Sequence, residues 1–259
     1  MTAHPVHVGA VAAVLFIASV STPHGGVQTV TGAGPTSVGA TEQQQIVEEL
    51  RAIRQILQEI TKPRPTPDAA PPERVKLVGL KGYSLGSSAA PLTLVEFSDL
   101  QCPFCREFAT DTFASIKRDW IDTGKLLYIS RDLPLAMHQL AMSAARAARC
   151  GGDQGRFWEM RAALFSKKTD LSRDSIMKAS ADIGLDQPQF SQCYANGIHE
   201  AEIRADLAEA GRLGLRGTPT FVLGRQGKDD TLEGLVIIGA QPYAVFEGHL
   251  RRLLGDSDH

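Results

Sequence analysis

The stretch "SDLQCPFC", Ser98 to Cys105, places two cysteines three residues apart directly behind the apolar run "LTLVEF" (Leu92–Phe97). Such a pair can be a metal clip, a structural staple or a reactive redox couple, and its surroundings separate the three. An apolar strand followed by Pro predicts a helix N-terminus with Cys102 at N-cap, Pro103 at N1 and Cys105 at N3. A sulfur at N-cap faces the free N–H groups of the first turn and the positive end of the helix dipole, which favour thiolate over thiol. Cys102 is therefore the expected nucleophile. Cys105, one turn on, is placed to attack the mixed disulfide that Cys102 forms with a substrate. Zinc needs two further ligands of suitable geometry, and the chain has no second C-x-x-C; Cys150 and Cys193 lie far along the sequence. The redox couple leads, and neither a metal nor a cofactor is expected.

The 259 residues hold four cysteines, too few for a disulfide-dense scaffold but an even number that allows two pairs in an oxidising compartment. The N-terminus bears on that compartment. "VGAVAAVLFIASV" (Val8–Val20) is 13 residues without charge, followed by "STPHGG". Its length suits a signal-peptide core better than a membrane span of roughly 20 residues, so 1–21 is read as a signal peptide or anchor and the chain as extracytoplasmic. The n-region lacks Lys and Arg, and an uncleaved anchor stays open. With 27 basic and 29 acidic residues the net charge is -2, which gives no electrostatic case for nucleic acid as a partner.

Residues 22–41, rich in Gly, Ser, Thr and Pro, read as flexible linker. In "EQQQIVEELRAIRQILQEI" (Glu42–Ile60), Ile46, Leu50, Ile53, Leu57 and Ile60 recur at spacings of 4, 3, 4 and 3, a heptad stripe with Ile at d and Leu at a. Residues 42–60 are thus a candidate homo-oligomerisation helix; an amphipathic helix lying on its own domain or on a membrane is the alternative. "TKPRPTPDAAPPER" (61–74) contains five prolines and reads as an extended spacer. A globular domain is expected from Val75, with strands at 75–80, 92–97 and 125–130 and a helix from the cysteines to about Asp122. Helices fill 138–213. Strands at 219–223 and 234–240 flank a polar turn, "GRQGKDDTLE", before a last helix to Leu254. This order implies an α/β fold, a central mixed sheet flanked by helices and interrupted by a helical insertion, with the heptad helix outside it.

Three segments, "APLTLVEFSDLQCPFCREF", "CGGDQGRFWEM" and "GLRGTPTFVLG", together resemble the DsbA-like thiol-disulfide oxidoreductases, over roughly Leu85 to Leu254. The resemblance implies a thioredoxin-like fold, with parts at 75–135 and 214–255 around an insertion at 136–213. It implies that Cys102 and Cys105 are the active pair, that Pro103 and Phe104 tune them, and that Pro219 is a cis-proline beside them. Thr218 should then approach the Cys102 sulfur. Glu96 matches the family's buried acid, able to take up or relay the Cys105 proton; a solvent-facing Glu at a strand end is the alternative.

Cys150 and Cys193 both fall in the insertion, 43 positions apart, and in an exported protein a structural disulfide is their simplest use; two separate buried thiols are the alternative. His138 reads as a cap or surface residue rather than one lying over the active pair. Phe157, Trp158, Met160 and Phe165 read as insertion core, and "RQGKDD" as a solvated tip. The expected activity is exchange with exported proteins carrying thiols or disulfides, chiefly oxidising them, with a membrane redox partner resetting the pair. Two alternatives remain: an oligomeric isomerase or reductase, and a membrane-tethered non-catalytic binding module.

Overall fold

The computed structural model describes residues 40–61, 72–227 and 230–255. The expected signal or anchor at 1–21, and nearly all of the segments read as linkers at 22–41 and 61–74, lie outside them. The chain divides into two units, 1–63 and 64–259. The described residues of the first form the helix α1 (Ala40–Thr61), which starts two residues before the expected Glu42. Its apolar residues Ile46, Leu50, Ile53 and Leu57 are about half exposed, and so are Val47 and Ile56, which widen the stripe. No helix among the described residues is long and apolar enough to cross a membrane.

The second unit is built on a six-stranded sheet: β1 (Arg74–Val78), β2 (Tyr83–Leu85), β3 (Leu92–Ser98), β4 (Leu126–Asp132), β5 (Thr220–Gln226) and β6 (Thr231–Ile238). The spatial order is β1-β6-β5-β3-β4-β2. β3 pairs parallel with β4 and antiparallel with β5, while β6 lies antiparallel to both β5 and β1, and β2 antiparallel to β4. β3 is central and buried along its whole length, which is why "LTLVEF" is nearly unbroken apolar sequence. Side chains alternate across it. Leu92 and Leu94 enter the core beneath the cysteine helix, and Val95 and Phe97 enter the core on the opposite face.

The crossover from β3 to β4 is one helical run whose hydrogen-bonding changes twice. α2 (Pro103–Glu107) passes into a π-helical turn at Phe108–Thr112, then α3 (Phe113–Ile116), then a second π-helical turn at Lys117–Ile121. Phe108, Thr112, Ile116 and Trp120 are all buried, four residues apart. In a regular α-helix each such step would rotate the buried face by roughly 40°, and the wider π turns remove that drift. The insertion consists of α4 (Ala141–Gly152), α5 (Phe157–Phe165), α6 (Arg173–Asp182), α7 (Gln187–Asn196) and α8 (Glu200–Arg212), and α9 (Tyr243–Leu254) closes the fold. Phe157, Met160 and Phe165 are buried in the insertion's core; Trp158 is half-buried and bridges to the core beneath the sheet.

Insertion and sheet are joined by buried charges. Arg149 on α4 donates to Asp132 (2.6 Å) and Asp206 (2.7 Å), and Arg131 pairs with Asp206 at 2.6 Å. Three sequence expectations are corrected here. The β5–β6 connection is residues 227–230 and not the ten-residue "GRQGKDDTLE": Gln226 faces Leu232, because polar residues at the exposed end of a hairpin suit strand as well as turn. β2 was not expected, since three residues carry no readable alternation; it is held by Tyr83, whose ring stacks on Phe157 at 3.7 Å. His138 precedes the first inserted helix, which begins at Ala141.

Candidate active site

Cys102 is the N-cap of α2, in extended backbone conformation, with Pro103 following. Its carbonyl accepts from Arg106 N–H (3.2 Å), and Pro103 fills the first helical position, where a missing N–H costs nothing. Both cysteines are unbridged and buried, so this is the dithiol form. The Cys102 thiol donates to the carbonyl oxygen of Thr218 at 3.4 Å, and the Asp99 N–H donates to the Cys105 sulfur at 3.4 Å. The Thr218–Pro219 peptide beside this contact is cis. The main chain of Thr218 makes the contact, where sequence reading had considered the residue as a whole. Its hydroxyl is buried as well.

The two thiols are driven apart in acidity. A hydrogen bond from the Cys105 thiol is the main cause that lowers Cys102 to a pKa of about 5; burial opposes it, while the Thr218 side chain and the N–H groups of Cys105 and Phe104 add to it. Cys105 is raised well above an ordinary thiol, first by burial, then by the neighbouring Cys102 and by the negative charge of Glu96. The surroundings thus favour a thiolate at Cys102 and a protonated thiol at Cys105. Phe104, between them, is 59% exposed, so an apolar contact surface lies beside the reactive sulfur.

Glu96 is fully buried in the interior of β3, not at a solvent-facing strand end. Its Oε2 accepts from Arg161 on α5 at 2.5 Å and from the hydroxyl of Tyr128 on β4. Period-2 alternation puts it on the same face as Leu92 and Leu94, under the cysteine helix. Its Oε1 has no hydrogen-bond partner among the described residues, which leaves one oxygen free to accept a proton. The Tyr128 hydroxyl is pushed well up, by burial and then by the Glu96 charge, so it stays a donor.

Sequence reading missed Asp99, Arg161 and Tyr128. Asp99 is buried and ties two loops together: its Oδ1 accepts from Gln101 N–H (2.7 Å), and its Oδ2 accepts from Leu135 N–H (2.8 Å) and lies 2.7 Å from His138 Nδ1. Gln101 Oε1 in turn accepts from Leu140 N–H at 2.7 Å. The cap expected of His138 is therefore a contact to the loop that carries the cysteines. A charged residue placed directly after a buried strand was the available signal for Asp99; Arg161 and Tyr128 gave none, since an Arg in a helix and a Tyr in a strand are ordinary. Cys150 and Cys193 form a disulfide with Cα atoms 5.8 Å apart, remote in sequence from the reactive pair.

Comparison with known proteins joins this geometry to a lineage. A family model described as thioredoxin matches residues 80–235. The chain belongs to this thioredoxin family. Among solved structures, it is similar to Wolbachia pipientis alpha-DsbA1 (26% identical, 66% of this chain and 90% of that chain, TM-score 0.59). It shares its fold with Bacillus subtilis BdbD (21%, 66% and 92%, TM-score 0.58) and with a thioredoxin-like oxidoreductase from Silicibacter pomeroyi (23%, 68% and 93%, TM-score 0.54). The thioredoxin fold here is thus of the DsbA-like kind, a mixed sheet with a helical insertion. A curated relative, a Na(+)/H(+) antiporter NhaA 1 of Mycolicibacterium gilvum, is 35% identical over 169 residues, 61% of this chain and 27% of that protein. The chain spans about a quarter of the length of the curated relatives it matches.

Proposed function

We propose that the chain is an exported protein thiol-disulfide oxidoreductase that introduces disulfide bonds into other exported proteins through Cys102 and Cys105. The observation that carries this reading is the placement of Cys102 at the N-terminus of α2, its sulfur 3.4 Å from the Thr218 carbonyl oxygen, with Cys105 buried one turn on; these surroundings lower Cys102 to a pKa of about 5 and hold Cys105 well above an ordinary thiol. A stable Cys102 thiolate lowers the energy of the reduced enzyme, and so favours passing the disulfide on.

In the oxidised enzyme a client thiolate attacks Cys102 Sγ and the Cys102–Cys105 bond breaks. Its electron pair stays on Cys105, which takes a proton. Glu96 is the group placed to exchange that proton, since it is buried under the cysteine helix with one oxygen unpartnered. A second client thiolate then attacks the client sulfur of the mixed disulfide, and Cys102 leaves as thiolate. Two electrons have moved from client to enzyme, and a membrane redox partner removes them to reset the pair. The cis Thr218–Pro219 peptide presents main chain beside Cys102, where an extended client segment can lie, and Phe104 offers it an apolar neighbour.

The antiporter named among the relatives is not carried over, because three quarters of each such protein lies outside the match. A second reading, an oligomeric isomerase kept reduced, is favoured by the exposed apolar stripe of α1, which suits self-association. Equilibration of the Cys102–Cys105 pair against glutathione buffers, with thiol trapping in cells, separates the two. A high potential and a mostly oxidised pool are expected; a low potential and a mostly reduced pool would overturn the oxidase reading.

A further inference from the structure

Four metal-ligating side chains meet at a place the exchange chemistry does not use. Cys150 lies near the end of α4, and Asp153 is that helix's C-cap; Cys193 lies on α7, and His199 is the N-cap of α8. One ligand atom from each, the two sulfurs, a carboxylate oxygen and an imidazole nitrogen, all fall within 4.8 Å of one another. His199 reaches the cluster because α7 ends at Gly197 in the left-handed conformation (φ +62°), a turn that Gly adopts without strain and that folds the chain back. Cys150, Cys193 and His199 are buried, while the Asp153 side chain is 37% exposed and opens the cluster to solvent.

We propose that opening the Cys150–Cys193 disulfide creates a site for a zinc-class divalent ion, held by Cys150 Sγ, Cys193 Sγ, His199 Nε2 and an Asp153 carboxylate oxygen. The donor set is the sulfur, nitrogen and oxygen mixture that zinc takes in four-coordinate form, with tetrahedral edges of about 3.3–3.8 Å. Modest contraction of the non-bonded separations, and separation of the two sulfurs once their bond opens, suffices to reach them. An independent feature points the same way. His199 Nδ1 lies 2.6 Å from Glu202 Oε2 and Nε2 lies 2.8 Å from Asp153 Oδ2, so the ring is held between two carboxylates; an ion entering the cluster takes the place of any proton on Nε2, while Nδ1 keeps Glu202 as its partner. A carboxylate on the far nitrogen is the usual support of a metal-bound histidine. Arg149, 3.5 Å from Glu202, offsets the negative charge that two thiolates and Asp153 bring.

The chemistry balances with a dithiol reductant. It transfers two electrons and two protons to the Cys150–Cys193 bond and becomes a disulfide itself; zinc then displaces one proton from each thiol. A covalent link between α4 and α7 is thereby exchanged for a coordinate one. This inference is independent of the proposed oxidase activity.

The test uses the full chain carrying Cys102→Ser and Cys105→Ser, so that the active pair supplies no sulfur. A phosphine opens the disulfide, leaving as phosphine oxide with the oxygen of water, and zinc is titrated against a chromophoric chelator. One zinc per reduced chain is expected and none for the oxidised chain. Cobalt(II) in place of zinc should show thiolate charge-transfer absorption. His199→Ala should abolish tight binding, and Glu202→Gln should weaken it about 10-fold. Zinc should also raise the melting temperature of the reduced chain and leave that of the oxidised chain unchanged. Equal uptake by the oxidised chain, cobalt binding without the thiolate band, an affinity unmoved by His199→Ala, or a reduced chain that zinc neither binds nor stabilises would each overturn the proposal.

Discussion

The two cysteine pairs share one domain and one chemistry, yet the fold treats them oppositely. Cys102 and Cys105 sit three residues apart at a helix start, unbridged, against a cis-proline loop and a buried carboxylate. Cys150 and Cys193 are 43 residues apart on two helices of the insertion and are bridged. The first pair closes a loop of one helical turn and so adds little constraint to the unfolded chain, but its sulfurs are split in acidity. The second removes the freedom of a long loop and holds two helices of the insertion together. Spacing sets what a disulfide does for stability; the surrounding donors and charges set what it does for chemistry.

Substitutions can break this contrast, and the largest effect falls on the reactive pair. Cys102→Ser is expected to reduce exchange with a model dithiol peptide to the uncatalysed background, with the melting temperature of the chain little changed. Replacing Cys150 and Cys193 together by Ala should do the reverse. It removes a 43-residue cross-link worth about 4 kcal/mol, a melting shift of about 8–16 °C, while the exchange rate of the folded enzyme is retained. A rate that fell with the second substitution would erase the division of labour.

Glu96→Gln sharpens the first half of the comparison. If Glu96 exchanges the Cys105 proton as proposed, this substitution should slow exchange about 10²-fold, read by stopped-flow fluorescence. Because Arg161 then keeps a buried charge without its partner, about 3–5 kcal/mol of stability should go with it, read by denaturant titration. The smallest effect is a pH dependence. Alkylation of Cys102 should follow a thiolate with a pKa of about 5, rising about 10-fold between pH 4 and pH 6 and then levelling, while Cys105 stays unreactive. A group whose folded pKa is depressed contributes stability above its unfolded value and loses it as pH falls through the folded one. The reduced enzyme should therefore melt progressively lower, relative to the oxidised enzyme, as pH drops toward 5.

Much of the fold was legible because its decisive elements are local. "LTLVEF" reads as a buried strand and "CPFC" as a proline-started helix from composition alone, and β3 with α2 occupies those positions. The hairpin was misplaced because strand ends that reach solvent carry the same polar residues as turns, as Arg225 and Gln226 do. At the site, residues that act through main chain or through partners distant in sequence were the illegible ones. Asp99 binds Leu135 and His138 from 36 and 39 positions away, and Arg161 meets Glu96 across 65. No window of sequence contains both members of such a pair.

The buried pairing of Arg149 and Arg131 with Asp132 and Asp206 has a mechanical consequence. Swinging the insertion away from the sheet would strand four charges in a low-dielectric gap, a cost that grows before water can enter. These ion pairs therefore brace the insertion against the sheet.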